Sequence, residues 1–201
     1  MGPPGAGKGT QADRIAARFQ LVHVATGDIL RANVADGTPL GKVAEAYLES
    51  GELVPDEVVV AMMLERLIQP DCGHGFLLDG FPRSVAQARA LDRHLAELGT
   101  PLDAAINLEV AGEELLHRLA RRGRADDDAQ TVRNRLQVFA SSTRPLLDYY
   151  EEQGLLFSVA AAGTIDEVTE RILHAPGDVS RRAPPARSQP ATSGSEGADV
   201  P

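Results

Sequence analysis

The sequence predicts a doubly wound α/β fold with a mostly parallel sheet, and three observations carry the prediction. Short apolar runs at residues 21–25, 75–79, 103–110 and 155–160 alternate with longer stretches whose apolar residues recur at helical spacing. A glycine-rich segment opens the first of those helical stretches. The clearest strand, 75–79, ends in the carboxylate of Asp79, at the strand end where sheets of this kind place ligands.

The opening segment, Gly2-Pro3-Pro4-Gly5-Ala6-Gly7-Lys8-Gly9-Thr10, reads as a phosphate-cradling loop. Glycines let the backbone approach an anion and turn successive N–H groups toward it. The helix that starts near Lys8 adds its positive end, Lys8 a mobile charge, and Thr10 a hydroxyl. Gly9 stands where the general motif has Ser or Thr, which moves the hydroxyl to Thr10. The bland alternative is a Gly/Pro-rich turn at a terminus.

The remaining elements follow in order. Ala12, Ile15, Ala16 and Phe19 mark one buried face of the first helix. After strand 21–25, Thr26 or Asp28 is placed to cap the next helix, and for Asp28 a cap is favoured over a role at a metal. Helical patterns run over 29–34 and 42–49, punctuated by Gly37, Pro39, Gly41 and Gly51. Pro55 and Asp56 open a better helix with Val59, Met62, Met63 and Leu67 on or beside its inner face. Past strand 75–79 and the exit loop Gly80-Phe81-Pro82-Arg83, Ser84-x-x-Gln87 forms a capping box for a helix to about Leu98. Strand 103–110 and helix 113–121 precede a short charged loop, 123–128. A long helix over 128–150 is expected to bend before Pro145, followed by strand 155–160 and helix 164–173. From Pro176 the composition turns to Pro, Ser, Ala, Gly and charge, so residues 176–201 are expected to be a disordered tail.

Composition narrows the partners. The chain of 201 residues suits one domain with small insertions. A net charge of −9 argues against nucleic-acid or membrane-surface binding, so an anionic ligand needs a local basic cluster. The single cysteine, Cys72, excludes an internal disulfide and a cysteine-based zinc site. With no membrane span or signal pattern, the cytoplasm is the expected compartment.

Two groups then carry candidate chemistry. Asp79, beside a phosphate loop, suits a magnesium ion held through water, against the bland reading of a loop cap. Arg118, Arg121, Arg122, Arg124, Arg133 and Arg135 crowd one stretch of an acidic chain, where planar guanidinium forks can neutralise a phosphoryl group in transfer. Without the loop they read as a solvated face paired with Asp126, Asp127 and Asp128. His23, His74, Cys72, Tyr149 and Tyr150 take structural readings.

Four segments together resemble the nucleoside monophosphate kinases, and the adenylate kinase family in particular. They are the loop at 2–10, Thr26-Gly27-Asp28-Ile29-Leu30-Arg31, Asp79-Gly80-Phe81-Pro82-Arg83 with Gln87, and Gly123-Arg124-Ala125-Asp126-Asp127 with Arg135. The resemblance covers residues 2 to about 174 and implies a P-loop NTPase-like fold with two small insertions. Residues 25–54 would bind the nucleoside monophosphate, and 121–127 would be a short lid, so no zinc is expected. It implies the reaction ATP + AMP ⇌ 2 ADP with magnesium, in a monomer. Gly5, Ala6, Gly7, Lys8, Gly9, Thr10, Arg122 and Gly163 would bind ATP. Thr26, Arg31, Glu52, Leu53, Val54, Gly80, Phe81, Pro82, Arg83, Gln87, Arg124 and Arg135 would bind AMP. Lys8, Arg83, Arg122, Arg124 and Arg135 would act on the transferred group.

Pyrimidine monophosphate kinases share most of these segments but usually carry Ala where Thr26 stands, so Thr26 favours AMP over UMP or CMP. An inactive nucleotide-binding form is the alternative from another class, and intact Lys8, Asp79 and arginines weigh against it. The resemblance also implies a fifth, central strand running into Gly2, where this sequence offers Met1 alone. Either the reading is shortened at its start, which is favoured, or the sheet is destabilised as it stands.

Overall fold

Two parallel strand pairs form the centre of the chain in the computed structural model, which describes residues 1–122 and 128–175. The expected lid beyond 122 and the expected tail from 176 lie outside the described residues. Strand β1 (Val22–Ala25) pairs with β2 (Phe76–Asp79), with Val22 opposite Phe76 and Ala25 opposite Asp79. Strand β3 (Ala105–Glu109) pairs with β4 (Leu156–Ala160), with Ala105 opposite Leu156 and Glu109 opposite Ala160. Among the described residues no ladder joins β2 to β3. Beside β3 the Met1 backbone donates to Ile106 O and accepts from Leu108 N at 3.0 Å. A cavity of about 2010 Å³ reaches between the two pairs, past Leu77, Ile106 and Leu108, and continues into the site described below.

Helix α1 (Lys8–Phe19) buries Ala12, Ile15 and Ala16, as the spacing predicts, together with Gln11. Gln11 is there for α9 (Ile165–Leu173): its Nε2 donates to Ile165 O at 3.0 Å, and its Oε1 accepts from Thr169 Oγ1 at 2.8 Å. Thr164 and Glu167 cap α9 reciprocally, through Glu167 N to Thr164 Oγ1 at 3.2 Å and Thr164 N to Glu167 Oε2 at 2.8 Å. These contacts tie α1 to β3 and β4 through a core that includes Ala6, Ile15, Leu108, Val159 and Ile172.

Helices α2 (Thr26–Ala35) and α3 (Pro39–Ser50) begin earlier than their apolar periods do. Strand β1 runs into α2 without a loop, so Ala25 takes the N-cap position and supplies no side-chain bond. Neither Thr26 nor Asp28 is therefore the cap; both already lie in the first turn. Helix α3 starts on Pro39 and is capped by Thr38, whose Oγ1 accepts from Gly41 N at 3.0 Å. A Cβ at Gly41 would run into the backbone of Asn33 and Val34, so glycine inside this helix is what lets α2 and α3 pack closely.

With α4 (Asp56–Leu67) and α5 (Val85–Glu97) these helices enclose a second core around Val24, Leu30, Val59, Met63 and Leu91. The remaining helices are α6 (Gly112–Arg122), α7 (Ala129–Val138) and α8 (Pro145–Glu152). The long helix expected over 128–150 is α7 and α8 joined by a π-helical turn, Phe139–Thr143. There Arg144 N reaches Phe139 O at 2.8 Å, because Pro145 offers no N–H and its ring displaces the carbonyl four residues back. No helix among the described residues is long and apolar enough to cross a membrane.

Candidate active site

The opening loop and the strand ends converge on one face of the cavity. Gly5 and Gly7 adopt φ of 86° and 90°, backbone that a side chain strains, and Gly7 is the N-cap of α1. No side chain caps α1 and no acidic residue sits in its first turn. The helix thus turns uncapped amides and its positive end toward the loop, the arrangement an anion needs. Lys8 Nζ lies across the loop, donating to Gly2 O at 2.8 Å and Pro3 O at 2.9 Å. Burial pushes the Met1 α-ammonium down to about 5, with Lys8 lowering it further and Asp79 opposing.

Asp79 ends β2 against this loop: a Cβ at Gly9 would stand 3.4 Å from Asp79 Oδ2. His23 of β1 brings its Nε2 to within 3.8 Å of the same oxygen, and its Nδ1 is 2.8 Å from Asp13 Oδ1. No cluster of three metal-ligating side chains exists among the described residues.

Thr26 is buried, and its hydroxyl donates to Met63 Sδ at 3.5 Å. Arg31, one turn along α2, folds back onto Asp28, beside Gly27. That ion pair occupies the carboxylate expected to cap the helix. Leu53 and Val54 follow Gly51, the αL end of α3, and line the cavity with Glu52. The last carbonyls of α3 are taken by α7: Thr131 Oγ1 donates to Glu49 O at 2.9 Å, Asn134 Nδ2 to Ser50 O at 3.0 Å and Arg135 Nη2 to Leu48 O at 3.4 Å. Arg135 is thereby positioned on the cavity wall by the segment that precedes Leu53.

The exit loop of β2 supplies a further guanidinium. Phe81 is buried, the Phe81–Pro82 bond is cis, and Arg83 Nε donates to Gly80 O at 2.9 Å. Half of the expected capping box forms: Ser84 Oγ accepts from Gln87 N at 3.2 Å. The Gln87 side chain does not return to the cap. Its Oε1 accepts from Arg83 N at 2.7 Å and its Nε2 donates to Asp56 Oδ1 at 2.7 Å. The Arg83 N–H takes the oxygen that the box would offer to Ser84 N, while the carboxylate of α4 holds the amide's other end.

On the other side of the loop lies a smaller cavity of about 420 Å³, lined by Gly7, Thr10, His117, Arg118, Gly163 and Thr164 among others. Gly163 has a φ of 102° just before the α9 cap. Arg118 joins α6 to this wall through Glu114 Oε1 at 2.7 Å and Ala161 O at 2.8 Å. The side chain of Arg122 and all of Arg124 lie outside the described residues. Of the clustered arginines, Arg133 borders neither cavity and bonds Gln130 Oε1 at 3.3 Å, and the side chain of Arg121 also lies outside the described residues. The other sequence-predicted positions border one of the two cavities, Ala6 the smaller one, so ATP-side and AMP-side candidates meet at Lys8 and Asp79. The sequence left Asp56, Thr131 and Asn134 unassigned. Asp56 was readable only as a helix opener, and a Thr and Asn three apart on α7 gave no signal.

The sequence pattern of the adenylate kinase family matches residues 1–155. The chain is 51% identical over 179 residues to an adenylate kinase of Thermobifida fusca, covering 87% of this chain and 95% of that protein. It is 51% identical over 176 residues to one of Xanthomonas campestris, covering 86% and 94%. An adenylate kinase of Leptospira biflexa is 48% identical over 177 residues, covering 86% and 95%. With that family's pattern over most of the chain, and with these relatives matched along nearly their whole length, the chain belongs to the adenylate kinase family.

Proposed function

We propose that this nucleoside monophosphate kinase transfers the terminal phosphoryl group of ATP to AMP, reversibly and with magnesium, giving two ADP. The observation that carries this is the single cavity that holds the uncapped α1 terminus and Lys8 near Asp79, with Arg31, Arg83 and Arg135 along its walls. An AMP phosphate oxygen attacks the terminal phosphorus, and the bond to the bridging oxygen of ADP breaks. No protein nucleophile is needed. Gly5 to Thr10 hold the donor phosphates, with Arg122 over them and Gly163 against the donor base. Lys8, Arg83, Arg124 and Arg135 neutralise charge that grows on the equatorial oxygens.

Asp79 suits a magnesium ion held through water, which would supply charge neutralisation at the donor phosphates. Arg31 and Arg83 take the AMP phosphate, while Thr26, Glu52, Leu53, Val54, Gln87 and the Gly80–Pro82 turn enclose its nucleoside. The pairing of Arg31 with Asp28 supports a guanidinium held ready at the site until an anion competes for it. The setting proposed is a cytoplasmic monomer, without nucleic-acid or membrane partners. A coupled assay of ADP formation with AMP, UMP and CMP as acceptors tests the substrate. AMP should lead clearly, and equal or greater turnover of CMP would move the chain to the pyrimidine kinases.

A further inference from the structure

Gln87, placed above at the acceptor nucleoside, is held by a part-buried network in which Asp56 and Ser84 have no role in the chemistry above. Gln87 is 1% exposed, yet both ends of its amide are bonded. Nε2 donates to Asp56 Oδ1 at 2.7 Å and Oε1 accepts from Arg83 N at 2.7 Å. The second Asp56 oxygen accepts from Ser84 Oγ at 2.6 Å, and Ser84 Oγ accepts from Gln87 N at 3.2 Å. A primary amide has two faces related by a half-turn, which exchanges donor and acceptor. A carboxylate can only accept and a backbone N–H can only donate, so Asp56 and Arg83 N select the same face. Each amide end also keeps one further capacity, an N–H and a lone pair, at the wall of the cavity.

We infer that Asp56 is a specificity-determining positioning residue: it fixes the Gln87 amide in the one orientation that complements adenine. This rests on the placement of Gln87 at the acceptor base. Adenine presents an amino donor beside a ring-nitrogen acceptor. Hypoxanthine has the same size but presents an oxo acceptor beside an N–H donor, the mirrored pattern, and uracil mirrors adenine in the same way. With ribose and phosphate anchored, an amide held by both selectors serves one pattern only, and one held by Arg83 N alone turns to the mirrored pattern more readily. Cytosine shares adenine's pattern, so its exclusion falls to pocket size and to Thr26.

The test is kcat/KM for AMP and for inosine monophosphate, with ATP as donor, in Asp56→Asn, which replaces an acceptor-only group by one that tolerates either amide face. The AMP value should fall about tenfold, the loss of a charged hydrogen bond, while the inosine value holds or rises. The AMP-to-inosine ratio then falls about tenfold with KM for ATP unchanged. Ser84→Ala, which leaves Asp56 in place but loosens it, should shift the ratio the same way by less. If both acceptors lose equally in both variants while Gln87→Ala collapses the ratio, Asp56 is only structural and the inference is overturned. If Gln87→Ala also leaves the ratio intact, the placement of Gln87 at the base fails, and the inference with it.

Discussion

Gly51→Ala should destabilise this chain more than a methyl group added at Gly37 or Gly73, and through two separable causes. Gly51 ends α3 with a φ of 75°, left-handed backbone that costs an alanine about 1–2 kcal/mol. Its Cβ would also stand 2.8 Å from Thr131 O and 3.0 Å from Thr131 Cγ2, and the first is helix backbone that cannot rotate away. Overpacking of this sort typically adds about 1–3 kcal/mol. The expected loss is therefore about 2–5 kcal/mol, read from urea unfolding curves. Gly37→Ala separates the causes, since its φ is 64° but nothing lies within 4 Å of the new carbon. It should lose only the strain, about 1–2 kcal/mol. Gly73→Ala has neither problem and should gain about 0.4–1 kcal/mol by restricting the unfolded chain. Because Thr131, Asn134 and Arg135 hold the last carbonyls of α3, folded Gly51→Ala should also show a raised KM for AMP with KM for ATP little changed. A Gly51→Ala loss no larger than that of Gly37→Ala would refute the reasoning.

Three further outcomes follow from the same geometry. Lys8→Met keeps the length of the side chain but removes its charge from the loop, and kcat should fall by about 10²–10³ with a much smaller change in KM for AMP; near-normal kcat would remove Lys8 from the mechanism. Leu91→Ala, at a fully buried site between α5 and its neighbours, should cost about 2–5 kcal/mol in urea unfolding, and a loss below about 1 kcal/mol would place Leu91 outside the core. Hydrogen bonds from Arg66 hold Asp71 below its ordinary 3.8, and those from Thr164 hold Glu167 below 4.5. For a carboxylate depressed in the folded state, the stability it contributes is complete above the unfolded value and lost as pH falls through the folded one. Stability from these groups should thus be level from pH 7 to 5.5 and decline below about pH 4.5, and Asp71→Asn should flatten that decline; an unchanged acid profile in Asp71→Asn would contradict the assignment.

The parts of this site that were legible in the sequence are those whose cause is local. Glycines forced into positive φ, the start of α1 at Lys8 and a carboxylate closing an apolar strand need no partner from elsewhere to be recognised. The starts of α2 and α3 were misplaced because apolar periodicity marks the buried face of a helix and is silent on polar first turns. Ser84-x-x-Gln87 was read as a reciprocal box because Asp56, which draws the amide away, is distant in sequence. Thr131, Asn134 and Arg135 on the carbonyls of α3 are more distant still. The division of the strands into two pairs follows from which backbones meet across the whole chain.

The central claim is that two adenine nucleotides sit head to head and exchange one phosphoryl group without admitting water. Phosphorus NMR of the enzyme with magnesium and ADP alone tests this most directly, because the donor and the acceptor are then the same molecule. ATP and AMP should appear in equal amounts until equilibrium, with no inorganic phosphate. AMP accompanied by inorganic phosphate, or an unchanged ADP spectrum, would contradict the claim.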